Sequence, residues 1–328
     1  MNKIELKNKK ILYLGPVFFT YDQYIINKLR NLGADVTPFE LYLTSFRFKI
    51  IRKFNNSKID SYKKNYYNQA LKKDDYDYVL VRHGYQLSDS FYLQLRKVNP
   101  NARIINFHWD SIKPEYDYRH FIKYFDKVFS FDYNDCKSYK ELTYLPLFFV
   151  DEYGNFSNKE NSDLVNFKYD LLFIGAWRNT ERYNLIKLMQ KLASKADLEF
   201  YYYLHLSLKD QYVSVKEGIT PKEAKSKLLS PKEILDLFSV SNCIIDFPSS
   251  FQTGLTMRTF ETLGAGKKLI TTNKNIKNEP FYDEEYISVV NPENLSIDID
   301  FIKNVPKKTM KEKMSNYSLE SYIYSLLR

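Results

Sequence analysis

The sequence predicts an α/β protein with two doubly wound, Rossmann-like parallel sheets, and three observations support this fold class. Short apolar runs such as Lys10–Gly15 alternate with amphipathic helical patterns along most of the chain. A polar, Asn- and Ser-rich stretch at 151–167 interrupts this alternation, which then restarts. With 328 residues and 44% hydrophobic content, the chain is long enough for two separate cores. We therefore expect an N-terminal domain over 1–150, a linker over 151–167, a second domain over 168–305 and a C-terminal helix over 306–328.

In the first domain, six strands are expected to alternate with helices. Strand centres that are fully apolar are typical of a parallel sheet covered on both faces. Strands are predicted at Lys10–Gly15, Ala34–Leu41, Tyr78–Arg82, Arg103–Phe107, Lys127–Phe131 and Thr143–Phe148. Helices are predicted at Asp22–Leu32 with Gly33 as its cap, within Thr44–Lys73, and at Ser88–Val98, Tyr116–Phe125 and Asn134–Leu142.

The second domain repeats the alternation. Strands are predicted at Tyr169–Ile174, Glu199–His205, Cys243–Phe247, Lys268–Thr272 and Ile287–Val290, with a polar insertion at Lys209–Lys227. A helix is predicted at Thr180–Lys195, and an amphipathic helix is predicted over Lys307–Leu327. Ser230, Pro231 and Glu233 predict a capping box at the start of a further helix.

The most informative stretch is residues 251–273, FQTGLTMRTFETLGAGKKLITTN. It reads as a glycine-containing turn, a helix and a strand, and the free amides at such a helix N-terminus form an anion site. Arg258 can form a charge-assisted fork to a phosphate, and Glu261, three residues later, can accept from a pair of ribose hydroxyls. The alternative is a surface helix with an i,i+3 Arg–Glu pair and a glycine cap.

The segment GLTMRTFETLGAGKKLITTN resembles the donor-site segment of GT-B-fold glycosyltransferases, particularly the CgeB-like and lipopolysaccharide or capsule biosynthesis group. The resemblance implies that Glu261, followed by Gly264 and Gly266, holds the nucleotide ribose, and that the turn at Gly254 approaches the diphosphate. Thr253, rather than glutamate, lies eight residues before Glu261, so the E-x7-E pattern of the retaining branch is incomplete and the stereochemical outcome stays open. The GT-B fold also implies that the two domains face a cleft and that the final helix often crosses back to the N-terminal domain.

Other residues of the second domain are candidates for donor binding because they follow strand ends. Two arginines one helical turn apart, Arg178 and Arg182, suit a diphosphate, although they can equally be solvated helix residues. Tyr203 and His205 end a strand and can stack on a base, although a histidine there is often structural. The predicted donor site contains Gly175, Arg178, Arg182, Tyr203, His205, Gln252, Thr253, Gly254, Arg258 and Glu261, with Ser249 and Ser250 as further donors.

The first domain is expected to hold the acceptor and, for an inverting reaction, a general base that takes the acceptor hydroxyl proton. Two candidates follow predicted strands, Asp110 as the first choice and His83 as the second. A carboxylate at this position can alternatively cap the next helix. The acceptor side is predicted to include Gly15, Tyr21, His108 and Trp109.

A metal-independent reaction is expected. No Asp-x-Asp motif ends a predicted strand, and the four histidines are scattered, which does not favour a metal site. The expected co-substrate is a UDP- or GDP-linked sugar, with no separate cofactor. The two cysteines, Cys136 and Cys243, suggest no disulfide framework and suit a reducing cytosol. No signal peptide or transmembrane stretch is apparent, which favours a cytoplasmic location.

Positive charge is concentrated in residues 46–73, which contain nine Lys or Arg against one acid, Asp60, within a whole-chain net charge of +9. Aromatic and aliphatic residues interleave with these charges, a pattern that suits an anionic membrane surface, so the protein is expected to be peripheral on the inner face of the membrane. The alternatives are a solvated helix packed on its own domain, or nucleic-acid binding, which no accompanying module supports.

The resemblance to GT-B glycosyltransferases implies an enzyme that moves a sugar from a nucleotide-sugar to a glycan or lipid-linked glycan in bacterial surface polysaccharide synthesis. A catalytically inactive protein that binds nucleotide-sugars, as a sensor or partner subunit, is the alternative. The two differ in whether any donor is turned over.

Overall fold

The computed structural model describes residues 4–17, 20–54, 56–73, 75–156, 167–207, 223, 225–249 and 251–328. The chain divides into two compact units, unit 1 comprising Met1–Pro146 with Leu319–Arg328, and unit 2 comprising Leu147–Ser318. Most of the predicted linker, most of the predicted insertion at Lys209–Lys227, and Ser250 lie outside the described residues. Among the residues that are described, no helix is long and apolar enough to cross a membrane.

Unit 1 contains a six-stranded, fully parallel sheet in the order β2-β1-β3-β4-β5-β6. Its strands are β1 Lys10–Gly15, β2 Asp35–Glu40, β3 Tyr78–Arg82, β4 Arg103–His108, β5 Lys127–Ser130 and β6 Leu142–Tyr144. Its helices are α1 Thr20–Asn31, α2 Phe46–Phe54, α3 Ile59–Tyr67, α4 Asp89–Val98 and α5 Tyr133–Ser138. Short 3₁₀ turns cover Asn56–Lys58, Asn68–Leu71, Pro114–Tyr116 and Arg119–Tyr124.

Unit 2 contains a five-stranded parallel sheet in the order β11-β10-β9-β7-β8. Its strands are β7 Tyr169–Ala176, β8 Phe200–His205, β9 Ser241–Asp246, β10 Lys268–Thr271 and β11 Ile287–Val289. Its helices are α6 Asp151–Gly154, α7 Thr180–Lys195, α8 Pro231–Ser239, α9 Met257–Gly264, α10 Ile299–Lys303 and α11 Lys311–Met314, with 3₁₀ turns at Lys274–Asn278, Pro292–Asn294 and Ser315–Tyr317.

The last helix, α12 (Leu319–Leu327), belongs to unit 1 although unit 2 precedes it in the sequence. It packs beside α1 and buries Leu319, Tyr322, Ile323, Leu326 and Leu327. Arg103 of β4 donates to the carbonyl oxygen of Leu327 at 2.8 Å and also to that of Arg328. The helix is therefore an integral part of the core of unit 1.

The predicted helix over Lys307–Leu327 is wrong as a continuous element. The chain forms α11, a 3₁₀ turn and α12, because the backbone amide of Phe149 donates to the carbonyl oxygen of Tyr317 at 3.0 Å and Ser318 is extended. The predicted strand Thr143–Phe148 is also too long. It ends at Tyr144, shortly before Pro146, which has no amide hydrogen for the strand ladder.

Two other helix predictions in unit 1 need correction. The predicted helix Tyr116–Phe125 is instead a pair of 3₁₀ turns. The helix predicted at Asn134–Leu142 ends at Ser138, and it begins after Asp132, whose carboxylate accepts from the amides of Asn134 and Asp135. Both stretches lie in the connections between β4, β5 and β6.

Candidate functional site

In unit 2, the sheet order places its topological switch point between β7 and β9, because the chain leaves β7 toward β8 on one side and returns to β9 on the other. Ligands of open α/β sheets bind outside the carboxyl ends of strands at such a point. β7 ends at Gly175 and Ala176, and β9 ends at Asp246. Helix α9 and the predicted donor-site motif follow β9 directly.

Asp246 is a buried carboxylate that the sequence prediction missed. It accepts hydrogen bonds from the hydroxyls of Thr256 at 2.6 Å and Thr259 at 3.1 Å, and these residues form the N-cap and first turn of α9. Burial raises its pKa, while the Thr256 hydrogen bond and the charges of Arg182 and Arg258 act in the opposite direction. The carboxylate therefore links the end of β9 to the start of α9.

Helix α9 carries Arg258 and Glu261 on one side, where they form an ion pair of 2.8 Å between Nη1 and Oε2. Arg258 is the second residue of the helix. Glu261 is only 2% exposed, and Tyr153 of α6 hydrogen-bonds with both members of the pair. The Arg258 guanidinium also lies 5.2 Å from the centre of the Phe238 ring. The Arg–Glu pair considered as the alternative is thus present, but it is buried rather than on the surface.

Two glycines lie at the end of α9, and one of them forms the glycine cap of the alternative interpretation. Gly266 has φ +68°, a left-handed conformation that glycine adopts without strain after a helix. A Cβ at Gly264 would lie 2.4 Å from the Phe149 ring, so this ring packs directly on the helix backbone.

The predicted arginines at the end of β7 lie near the same carboxylate. Arg182 of α7 donates to the carbonyl oxygen of Ala176 at 3.2 Å. Burial lowers its pKa, Asp246 raises it, and Arg178 lowers it, so Arg182 interacts electrostatically with both residues. Arg178 is exposed. The structure therefore brings Arg178, Arg182, Asp246 and Arg258 into one electrostatic cluster around the switch point.

The turn before α9 is held by its own backbone contacts. Gln252 donates to the carbonyl oxygen of Gly254 at 3.0 Å, and Asn273 donates to the same oxygen at 3.1 Å. Asn275 donates to the carbonyl oxygen of Thr253 at 3.1 Å. The asparagines after β10 thus fix the shape of the turn, a function that the sequence reading did not assign to them.

Tyr203 and His205 end β8, at the edge of the sheet, as predicted. The Tyr203 hydroxyl donates to the carbonyl oxygen of Lys227 at 2.8 Å, and His205 Nδ1 lies 3.2 Å from the carbonyl oxygen of Lys225. Both side chains therefore contact the short stretch that contains Lys225 and Lys227. At the end of β7, the buried indole nitrogen of Trp177 has no hydrogen-bond acceptor within the described residues.

In unit 1, the two candidate bases lie next to each other. His83 Nε2 is 3.7 Å from Asp110 Oδ2, with the histidine buried and the carboxylate 52% exposed. Burial, and secondarily Arg82, lowers the pKa of His83 to about 3, so its imidazole is neutral near pH 7. A base with so low a pKa is a weak proton acceptor. Of the two residues, Asp110 is therefore the better candidate for the general base.

The switch point of unit 1, between β1 and β3, holds a buried polar cluster. Asp22, which is fully buried, accepts from the Tyr13 hydroxyl at 2.6 Å and pairs with Arg82. The Arg82 guanidinium lies 3.9 Å from the centre of the Trp109 ring, and Trp109 donates to the Tyr322 hydroxyl at 3.0 Å. The cluster joins the sheet edge to α12.

Three predicted acceptor-side residues surround this cluster. Tyr21 meets the Trp109 ring edge-on with centroids 6.3 Å apart, and a Cβ at Gly15 would lie 2.9 Å from the Tyr13 ring. His108, by contrast, is a core side chain. It stacks on Tyr118 with centroids 3.4 Å apart and bonds Asn106, so its ring is enclosed by unit 1 and does not face solvent.

The missed residues left only weak signals in the sequence. Asp246 is an acid at the end of an otherwise apolar strand, CIID, which is a pattern that marks a carboxylate at a sheet edge. Asp22 was read as part of a helix start, and Tyr153 lay in the predicted linker. Their roles depend on which strands are neighbours, which a single sequence does not state.

No family profile matches this sequence, and no curated protein sequence is significantly similar to it. Solved structures do match over almost the entire chain. A glycosyltransferase involved in avilamycin A biosynthesis has a TM-score of 0.56 at 10% identity, covering 98% of this chain and 95% of its own. An α-glucosyltransferase solved with UDP and a 13-mer DNA has a TM-score of 0.54 at 13% identity, covering 97% and 94%.

A third similar structure is the UDP-N-acetylglucosamine 2-epimerase from Rickettsia bellii, with a TM-score of 0.51 at 9% identity, covering 98% of this chain and 96% of its own. At such low identities, the likeness concerns the fold. The two parallel sheets, of six and five strands, match those of these proteins. The chain has the α/β architecture of the GT-B fold.

Proposed function

We propose that this chain is a glycosyltransferase that moves a sugar from a UDP- or GDP-linked donor to a glycan or lipid-linked glycan acceptor. Within the GT-B fold we assign it to the CgeB-like group, and we place its reaction in bacterial surface polysaccharide synthesis in the cytoplasm. The transfer proceeds without a metal ion.

One observation carries the proposal: Glu261 is a buried carboxylate on the helix that follows the switch-point strand of unit 2. A buried carboxylate is costly unless it is paired, and Arg258 and Tyr153 supply partners. A ribose hydroxyl pair can replace the Tyr153 contact, because both groups donate to a carboxylate. This chemistry favours a nucleotide over an anion without a sugar.

The positive charges around the switch point suit the diphosphate of the donor. Arg178, Arg182 and Arg258 can offset its negative charges, and the α9 N-terminus contributes its amides. Asp246 holds this start of the helix in place through Thr256 and Thr259. Charge stabilisation by arginines and amides gives the leaving diphosphate the support that a metal ion otherwise supplies. The buried Trp177 indole adds a donor.

For an inverting transfer, we assign the base to Asp110 in unit 1. The acceptor oxygen attacks the anomeric carbon, the bond from that carbon to the diphosphate oxygen breaks, and Asp110 takes the acceptor proton. Its half-exposed carboxylate is accessible to a hydroxyl group. The neutral His83 beside it does not compete for the proton.

The test is calorimetric titration of the purified protein with UDP, GDP and their glucose and mannose conjugates. The wild type is expected to bind one nucleotide series. Glu261→Gln keeps the size of the side chain and is expected to weaken binding by roughly 1.5–3 kcal/mol, because a hydrogen bond to a charged acceptor is lost. Glu284→Gln, an exposed site in the same unit, is the matched control and should leave affinity unchanged.

Turnover separates a transferase from a protein that only binds. The nucleotide-sugar that binds should also be hydrolysed slowly when no acceptor is present. The nucleoside diphosphate that this hydrolysis releases can be measured directly. Absence of binding to every nucleotide tested would overturn the proposal. Binding with no release of diphosphate, with or without glycan acceptors, would show a nucleotide-sugar-binding protein instead.

A further inference from the structure

Helix α2 of unit 1 has two apolar faces, and only one of them packs on the protein. Phe48 is 8% exposed and contacts Tyr62 of α3 with ring centroids 5.7 Å apart. Phe46 and Phe54, by contrast, are 77% and 74% exposed, and Ile50 between them is 43% exposed. The helix is therefore anchored through Phe48 and presents a second apolar surface outward.

The three exposed side chains form one stripe. They are spaced by four residues, which on an α-helix with 3.6 residues per turn places them on the same side. The stripe extends for about 12 Å, from a rise of about 1.5 Å per residue. On the same helical geometry, Phe48 points roughly 160° away from the middle of the stripe, which agrees with its burial.

Positive charge borders this stripe. Arg47, Lys49 and Lys53 border the stripe and are exposed, Arg52 is exposed on the side of Phe48, and α2 contains no acidic residue. The Lys53 ammonium lies 5.2 Å from the centre of the Phe54 ring. Further exposed lysines follow on the next turns of the chain, at Lys58, Lys64, Lys72 and Lys73.

These features select one type of partner. A second copy of the same surface would bring like charges together, which is unfavourable. A nucleic acid would satisfy the charges but would leave two fully outward phenylalanines without a role. An anionic lipid surface satisfies both features, because the phenylalanines enter the headgroup boundary while the basic side chains contact the lipid phosphates.

We propose that α2 docks this protein on an anionic lipid bilayer through an inserted stripe of Phe46, Ile50 and Phe54. Arg47, Lys49 and Lys53, which border the stripe, bind the headgroups around it. The inference does not rest on the proposed enzyme activity, and it defines which aromatic residues of the basic segment contact lipid and which do not. Phe48 stays in the core of unit 1.

The test is co-sedimentation of the full chain with vesicles of phosphatidylcholine alone or with 30% phosphatidylglycerol. Binding is expected only to the anionic vesicles and should weaken as salt screens the charges. Lys49→Gln with Lys53→Gln should reduce affinity about 25-fold, since each basic residue contributes about fivefold near such a surface. Lys137→Gln with Lys140→Gln, both exposed elsewhere in unit 1, should have little effect.

A second pair of variants separates insertion from simple charge attraction. Phe46→Ser with Phe54→Ser should reduce affinity by about 30-fold or more while the relative salt dependence persists, because the apolar contribution is lost. Leu93→Ser, at an isolated exposed apolar residue of α4, is its control. All four positions of these double variants are exposed, so unchanged thermal unfolding is expected.

Several results would overturn the proposal. These are equal binding to neutral vesicles, full binding by the Phe46→Ser and Phe54→Ser variant, or no vesicle binding at all. Sedimentation velocity without lipid would identify self-association if that same variant converted a dimer to a monomer. Salt-sensitive RNA binding with no vesicle binding would identify a nucleic-acid surface.

Discussion

His83 combines two uncommon properties in one residue. Its φ of +66° lies in the left-handed region, which only a few per cent of non-glycine residues adopt. Its buried ring has a pKa lowered to about 3. The backbone conformation turns the chain sharply at the end of β3 and places the ring beside Asp110. The sequence could indicate that a histidine follows this strand, but not that burial would keep it neutral.

This burial predicts a pH dependence of stability. An unfolded histidine has a pKa near 6.5. Below that pH the unfolded state therefore binds a proton that the folded state does not bind. The contribution of His83 to the free energy of unfolding is therefore fully present above about pH 6.5. It is lost progressively as the pH falls toward about 3. The loss is roughly 3 kcal/mol at pH 4.5, because each pH unit below 6.5 corresponds to about 1.4 kcal/mol.

His83→Asn is the suitable variant because asparagine tolerates a left-handed backbone. Urea unfolding at pH 7 and pH 4.5 should show that the free energy of unfolding of the wild type falls by roughly 3 kcal/mol more than that of this variant. Acidic groups elsewhere affect both proteins alike. Equal losses in the two proteins would show that His83 titrates normally.

At the scale of elements, local signals predicted the ends of several helices, although not the end of α5. The capping box of Ser230 and Glu233 is present, Ser88 caps α4 with its side chain, and Gly33 and Gly266 have positive φ after their helices. These features depend on residues within one helical turn. The lengths of β6 and the C-terminal helix were wrong because distant contacts decided them, such as the pairing of Phe149 with Ser318.

The packing of Phe149 on Gly264 predicts a specific cost in α9. A Cβ at this position would lie 2.4 Å from ring Cγ and 2.7 Å from the neighbouring ring carbons, too close for a real contact. Gly264→Ala is therefore expected to destabilise the protein by about 1–3 kcal/mol despite the better helix propensity of alanine.

Pairing this change with Phe149→Leu checks the cause. If the ring is responsible, Gly264→Ala should cost less in the Phe149→Leu background, and a double-mutant cycle in urea should show a coupling of about 1 kcal/mol or more. Additive effects of the two substitutions would show that contact with the Phe149 ring does not cause the destabilisation by Gly264→Ala.

For the whole molecule, the sequence predicted the fold class because the alternation of apolar strands and helices restarts after the polar stretch. It predicted the candidate site in part. Arg258 and Glu261 were recognisable from their spacing within one helix, whereas Asp246 and Tyr153 join them only once β9 lies beside β7 and α6 packs on α9. The basic segment was visible in the composition. The sequence did not show that Phe46 points outward and Phe48 inward, because this depends on the packing of α2 on α3.

The two tryptophans give each unit its own probe. Trp109 lies in unit 1, in contact with α12, and Trp177 lies in unit 2. Removal of residues 319–328 deletes five buried side chains of α12. The burial of each contributes about 2 kcal/mol at most, and their sum is comparable to the free energy of unfolding of a whole domain. Unit 1 of the truncated protein is therefore expected to be unfolded.

Fluorescence of single-tryptophan variants measures this directly. In a Trp177→Phe background, the truncation should abolish the cooperative urea transition reported by Trp109. In a Trp109→Phe background, the transition reported by Trp177 should keep its midpoint. A preserved Trp109 transition would mean that α12 contributes little to unit 1.

The position of α12 also bears on how the chain is made. The first 146 residues of unit 1 leave the ribosome before any of unit 2, yet the helix that completes their core is translated only after the 172 residues from Leu147 to Ser318. At about 5–20 residues per second, that interval lasts roughly 9–35 s. Throughout it, the nascent unit 1 lacks its last helix and exposes the apolar surface that this helix later covers. We therefore expect the growing chain to depend on chaperones during this interval, and unit 2 to be the first part of the protein to reach its final structure.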